Sequence, residues 1–177
     1  MWDNIWSSTH GPSLVTEVSL ASSALDDWRN TCIAKKNDTP IFCVVKATQT
    51  VFNGYSAQKT CDMLVQALIH PFMPAFAVCH DDTVWARFSA AVFSYQKERI
   101  RIISAVPSKL AYVSGSRPFQ FNKDAHHHFL AHVMAYKRSH VKVTQDDLTR
   151  IQALGLLNSS AIIQNNGCAV GEFTFLI

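Results

Sequence analysis

Five of the eight histidines fall in one short stretch, His126, His127 and His128 followed by His132 and His140. Wound into a helix, His128 and His132 share a face at the four-residue spacing of two metal ligands. A metal centre needs a third and usually a fourth ligand, and the chain has no HExxH glutamate to supply one. The stretch is therefore read as a polar helix face, and no metal ion is expected. The cysteines, Cys32, Cys43, Cys61, Cys79 and Cys168, form no CxxC pair and are read as free, mostly buried thiols of a reducing compartment. Cys79 and His80 are neighbours, so in a strand they face opposite ways and do not pair as nucleophile and base. With six glycines and neither GxxxxGK[ST] nor GxGxxG, no phosphate-cradling loop is legible. No catalytic residue and no cofactor are expected.

The elements that would position these groups are set by periodicity. Residues 1–12 read as a flexible lead carrying Trp2, Ile5 and Trp6, and residues 13–177 as one globular domain. Leu14, Val18, Ala21, Leu25, Trp28 and Cys32 recur at steps of three and four behind Ser13, which predicts a capped helix with one buried stripe. Ile41 to Phe52 is rich in β-branched and aromatic residues and predicts a strand, with the helical spacing of Ile41, Val44, Val45 and Thr48 as the competing pattern. Ser56 caps a second helix with Cys61, Leu64, Val65 and Leu68 inward, stopped before Pro71.

Ala75–Cys79, a turn at Asp81-Asp82 and Thr83–Tyr95 read as paired strands, and Arg99-Ile100-Arg101-Ile102 alternates as a half-exposed strand does. Helices are predicted over 123–138 and 144–154, the second with Thr144 and Asp147 as a capping pair and Gly155 past its end. A closing hairpin is predicted around Asn166-Gly167. The expected fold is α+β: a central antiparallel or mixed sheet with an N-terminal helix, one crossing helix, C-terminal helices and a terminal hairpin.

Three resemblances accompany this layout. Ile41–Thr48, Ser56–His70 and Ala75–Cys79, read as strand, helix and strand, resemble the centre of the PD-(D/E)xK nuclease family, with Lys46 in the place of the motif lysine. The acid that family needs two residues earlier is Val44 here, and Asp38 is the sole nearby candidate for the other, which implies at most a decayed nuclease. Ser139–Phe175 is similar to the end of alkylhydroperoxidase-like helical proteins, but the redox CxxC and its histidine are missing. Over residues 40–177 the succession IFCVVKATQTVF, YSAQKTCDMLVQALIH and DLTRIQALGLLNSSAIIQNNGCAVGEFTF resembles the globular domain of rhabdovirus matrix proteins. That resemblance implies a non-enzymatic viral structural protein that self-associates, lines the inner face of an enveloped particle and bridges membrane and nucleocapsid. The lysine-rich N-terminal arm and the PPxY or PTAP budding motifs of better-known members are missing.

Composition points the same way. Only 16% of residues are charged, which favours an assembling surface over a freely dispersed one. The net charge is +3, yet Lys97, Arg99, Arg101, Lys109, Arg117 and Lys123 gather against Glu98, a basic region suited to an anionic lipid surface or a nucleocapsid. Trp2, Ile5 and Trp6 are the candidate self-association anchor. The partners expected are further copies of the chain, an anionic membrane and viral nucleoprotein, with no sequence-specific nucleic acid. No signal peptide or membrane-spanning helix is expected, which places the protein in the host cytoplasm, peripheral to membrane, or in the virion.

Overall fold

A computed structural model describes residues 10–105 and 145–155, with 123–124, 127, 133, 135–136, 141–142, 162–163 and 172–173. Backbone contacts divide the chain into two units, Met1–Val133 and Met134–Ile177. The first is helical: α1 (Val18–Ala34), α2 (Ile41–Ala47), α3 (Ala57–Gln66), α4 (Ala75–His80) and α5 (Asp82–Ala105). The second holds α6 (Gln145–Ala153) and three two-residue strands, β1 (Val141–Lys142), β2 (Ile162–Ile163) and β3 (Glu172–Phe173). There β3 lies between the other two, antiparallel to both, with Phe173 opposite Val141 and Ile162.

The α+β architecture with a central sheet is thereby corrected. Residues 41–52 form α2 and a turn, and residues 75–104 form α4 and most of α5. In α2 the buried residues are Ile41, Val44 and Val45, so the three-and-four spacing prevails over the β-branched composition. In α5 the buried residues Trp85, Phe88, Ala91, Val92, Tyr95, Gln96 and Arg99 draw one helical stripe through the segment read as hairpin and polar turn. Asp81, read as a hairpin turn, accepts the Thr83 and Val84 amides on its carboxylate at 2.8 and 3.0 Å and so caps the start of α5.

The two shortest helices are held by a reciprocal exchange at their starts. A helix leaves its first amides without internal partners. In α2 the Ile41 and Phe42 amides donate to the Met73 and Pro71 carbonyls at 2.8 and 3.2 Å, while in α4 the Ala75 and Phe76 amides donate to Thr39 and Asn37 at 3.0 and 2.8 Å. Pro40 and Pro74 stand at the two N-caps and face one another in an antiparallel bridge. Each helix thus satisfies its orphan donors with the loop that leads into the other.

Helix α3 is the buried centre of this unit. Thr60, Cys61, Asp62, Met63 and Leu64 are all buried, and since about 3.6 residues complete a turn, the helix is enclosed on every side. Ser56 caps it, as its position predicts. Around it runs an aromatic chain. Trp28 meets Phe52 edge-on at 4.9 Å and lies 6.2 Å from both Trp85 and Phe88, and Phe52 leads to Tyr55 and thence to Tyr95 at 6.5 and 6.2 Å. In the α1 stripe Leu14, Ala21, Leu25, Trp28 and Cys32 are buried, but Val18 is exposed. Ser13 accepts the Thr16 amide at 3.2 Å and caps a turn that precedes the regular helix.

Candidate functional site

The chemistry-bearing groups of the first unit collect where α3 and α5 pack. Asp62, on the enclosed helix, is fully buried, and the Tyr95 hydroxyl donates to its carboxylate across a long 3.4 Å. Burial pushes the Tyr95 hydroxyl up and the Asp62 carboxylate pushes it further, against the lowering effect of Arg99. Arg99 is only 7% exposed and holds its guanidinium 5.9 Å from the Tyr95 ring. The neighbouring Tyr55 hydroxyl donates to the Val92 carbonyl at 2.7 Å and is pushed well up, first by burial and then by Tyr95. Lys59, half-buried in the first turn of α3, has its ammonium pushed down by burial and by the Arg99 guanidinium. The tyrosines are therefore protonated hydroxyls through the neutral range. Their hydrogen bonds tie α3 and the turn before it to α5, which is positioning chemistry.

A second cluster joins α1 and α4. The buried thiols of Cys32 and Cys79 influence each other's titration, and Arg29 donates from Nε to the Cys79 carbonyl at 2.8 Å while its other end pairs with Asp82. Burial pushes Cys32 and Cys61 up, and it pushes Cys79 up to about 12, with the Cys32 thiol adding to the effect. Such thiols are poor nucleophiles, since the thiolate is the reactive form. Cys43, by contrast, is exposed. Cys32, Cys43, Cys61 and Cys79 are all free, as expected, the first, third and fourth buried and Cys43 exposed, while Cys168 lies outside the described residues.

The structure divides the predicted basic region. Lys97, Arg101 and Lys123 are exposed, whereas Arg99 turns into the polar cluster. Strand alternation predicts the arginines outward and the isoleucines inward; the helix reverses this at Arg99 and at Ile100, which is 48% exposed. Arg101 forms a two-pronged contact with Glu98 at 2.6 and 2.7 Å. Lys109 and Arg117 lie outside the described residues, as do Trp2, Ile5 and Trp6. The same holds for His126, His128, His132 and His140, while His127 is exposed. Among the described residues no three His, Cys, Asp or Glu side chains come together as metal ligands.

Lys46 stands exposed on α2, its ammonium 5.7 Å from the Phe42 ring. The strand on which the nuclease likeness placed it does not exist, because Ile41–Ala47 is helical. What sequence reasoning missed is Asp62, Tyr95 and Gln96. The signal was there in the helical spacing of Trp85, Phe88, Val92 and Tyr95, which places Tyr95, Gln96 and Arg99 on the inward side. No protein family matches the chain, and neither a curated protein nor a solved structure matches it.

Proposed function

We propose that the protein is a non-enzymatic assembly component that self-associates and docks on an anionic membrane surface through the last turns of α5. The observation that carries this reading is the outward face of that helix, where Lys97, Ile100, Arg101 and Ser104 are exposed at spacings of three, four and seven. Two long cations flanking an exposed apolar residue suit a lipid interface, which accepts both. The bridging role of a viral matrix protein is the specific form implied by the sequence resemblance. The sheet on which that resemblance rested is absent from residues 41–105, so the proposal stands on surface chemistry and on the low charged fraction. Among the described residues no helix is long and apolar enough to cross a membrane.

Each basic residue close to an anionic leaflet contributes about 1 kcal/mol. Removing both Lys97 and Arg101 therefore weakens vesicle binding roughly 30-fold, and charge reversal by more. The test is flotation of the full chain with phosphatidylserine vesicles at low and high salt. Lys97→Glu with Arg101→Glu abolishes salt-sensitive binding while the far-ultraviolet spectrum stays helical, and sedimentation shows concentration-dependent oligomers. A protein that is monomeric at high concentration and ignores the vesicles ends this reading.

A further inference from the structure

The joint between α2 and α4 carries an internal repeat. At one constant offset, that between Ile41 and Ala75, the backbone donors and acceptors match one for one. Ile41 donates to Met73 as Ala75 donates to Thr39, and Phe42 donates to Pro71 as Phe76 donates to Asn37. At the same offset Thr39-Pro40-Ile41-Phe42-Cys43-Val44 and Met73-Pro74-Ala75-Phe76-Ala77-Val78 share their proline, phenylalanine and valine. Burial follows it too: Ile41, Val44 and Val45 are the buried residues of α2, and Ala75, Val78 and Cys79 those of α4. The two N-cap prolines agree in backbone, with φ −51° and ψ 133° at Pro40 and φ −57° and ψ 137° at Pro74.

The helices that lead into the joint also end alike. Lys36 after α1 and Leu68 after α3 are both left-handed, at φ 47° and 54°, a conformation that favours glycine. Each donates its amide to the last turn, Lys36 to Ile33 and Leu68 to Val65. The residue after each reaches back further, Asn37 to Cys32 and Ile69 to Leu64. Beyond these turns α1 packs on α4 and α3 on α2, so each longer helix rests on the short helix of the other half.

We infer that residues 18–47 and 57–80 are two copies of one helix–turn–helix unit, joined about a local two-fold axis at the Pro40–Pro74 bridge, and that this joint is a latch whose halves release together. Neither half can leave alone. Moving the loop before α2 takes the Asn37 and Thr39 carbonyls away from α4, and it takes the α2 amides away from Pro71 and Met73. Helices of seven and six residues do not hold by themselves once their starts are uncovered. Helix α5 packs against α3 and α4, yet the latch carries release across to α2 as well. A contact made at either loop is thereby felt at both short helices.

Native-state hydrogen exchange of the full chain, followed by NMR across low urea concentrations, tests the latch. The Val44 and Val78 amides, which donate to Pro40 and Pro74 inside the two short helices, are expected to share one opening free energy and one urea dependence. That opening free energy lies below those of Leu25 in α1 and Val92 in α5. Pro74→Ala changes an exposed side chain on the α4 side and frees the unlatched chain, so Val78 exchanges about two- to five-fold faster. Val44 is expected to speed up by the same factor, and Pro40→Ala to give the reciprocal result. The comparison within the unmutated protein keeps the test valid should a variant fold poorly. Faster exchange confined to the helix next to the substitution overturns the latch. So do unequal opening free energies at Val44 and Val78, or one value shared by all four amides, which makes the opening that of the whole domain.

Discussion

Cys79 makes alkaline stability a sharp readout of the packing between α1 and α4. Its thiol has an ordinary value of 9.0 and is pushed up to about 12, first by burial and next by the adjoining Cys32. The folded protein therefore keeps this proton where the unfolded chain releases it. The stability this provides is fully present below pH ~9 and is lost as pH rises toward the folded value. The slope is about 1.4 kcal/mol per pH unit and the full gap amounts to about 4 kcal/mol, a large part of the roughly 5–15 kcal/mol that holds a domain together. In Cys79→Ala this contribution disappears. Cys32 stays high in the variant because burial is its first cause, and Cys61, Tyr55 and Tyr95 titrate alike in both proteins. Urea unfolding followed by the fluorescence of the buried Trp28 and Trp85 at pH 8, 9, 9.5, 10 and 10.5 measures the difference. Between pH ~9 and ~10.5 the unmutated protein is expected to lose about 2 kcal/mol more than the variant. Parallel curves would refute the placement of this thiol in the core.

Two further predictions concern groups away from the cluster. Short treatment of the folded protein with iodoacetamide at pH 8 should alkylate Cys43 and spare Cys32, Cys61 and Cys79, as peptide mapping will show; equal labelling of all four contradicts the helical packing. Gly11→Ala should destabilise by about 1–3 kcal/mol or more, because the added Cβ would fall 2.0 Å from the Thr50 carbonyl oxygen, against backbone tied down by the Gly11 amide to Gln49 and Asn53 to the Gly11 carbonyl. A thermal midpoint within a degree of the original would mean that residues 10–12 do not dock on the 49–53 turn.

Periodicity could be read from the sequence, and composition misled. The α1 stripe and the Ser56 cap were legible because apolar spacing and capping chemistry agree there. In Ile41–Phe52 they disagree, since valine and threonine favour strands while Ile41, Val44 and Val45 fall on one helical side. Tertiary contact decides such a conflict, and here it is the loop carbonyls of Pro71 and Met73 that satisfy the start of α2. Asp81-Asp82 was ambiguous for a different reason. An aspartate that accepts amides two and three residues ahead opens a turn and a helix alike, so the outcome rests on the apolar spacing of the residues after it. Arg99-Ile100-Arg101-Ile102 is too short for a period of two to exclude one of 3.6; the window from Trp85 onward is long enough and favours the helix.

The polar cluster was illegible for a reason deeper than misassigned elements. Lys59 and Asp62 stand more than thirty residues from Tyr95, Gln96 and Arg99, and no local motif links the two groups. They meet because the aromatic chain from Trp85 through Trp28 and Phe52 to Tyr55 and Tyr95 sets α5 alongside the turn that leads into α3. An arginine and a glutamine on the inward stripe of α5 would be costly against an apolar helix. Arg99 is tolerated because the cluster it joins also holds the Asp62 carboxylate, beside the same Tyr95. The exchange of polar groups across this contact fixes which face of α5 turns inward, and so leaves Lys97 and Arg101, rather than Arg99, to meet whatever the protein docks against.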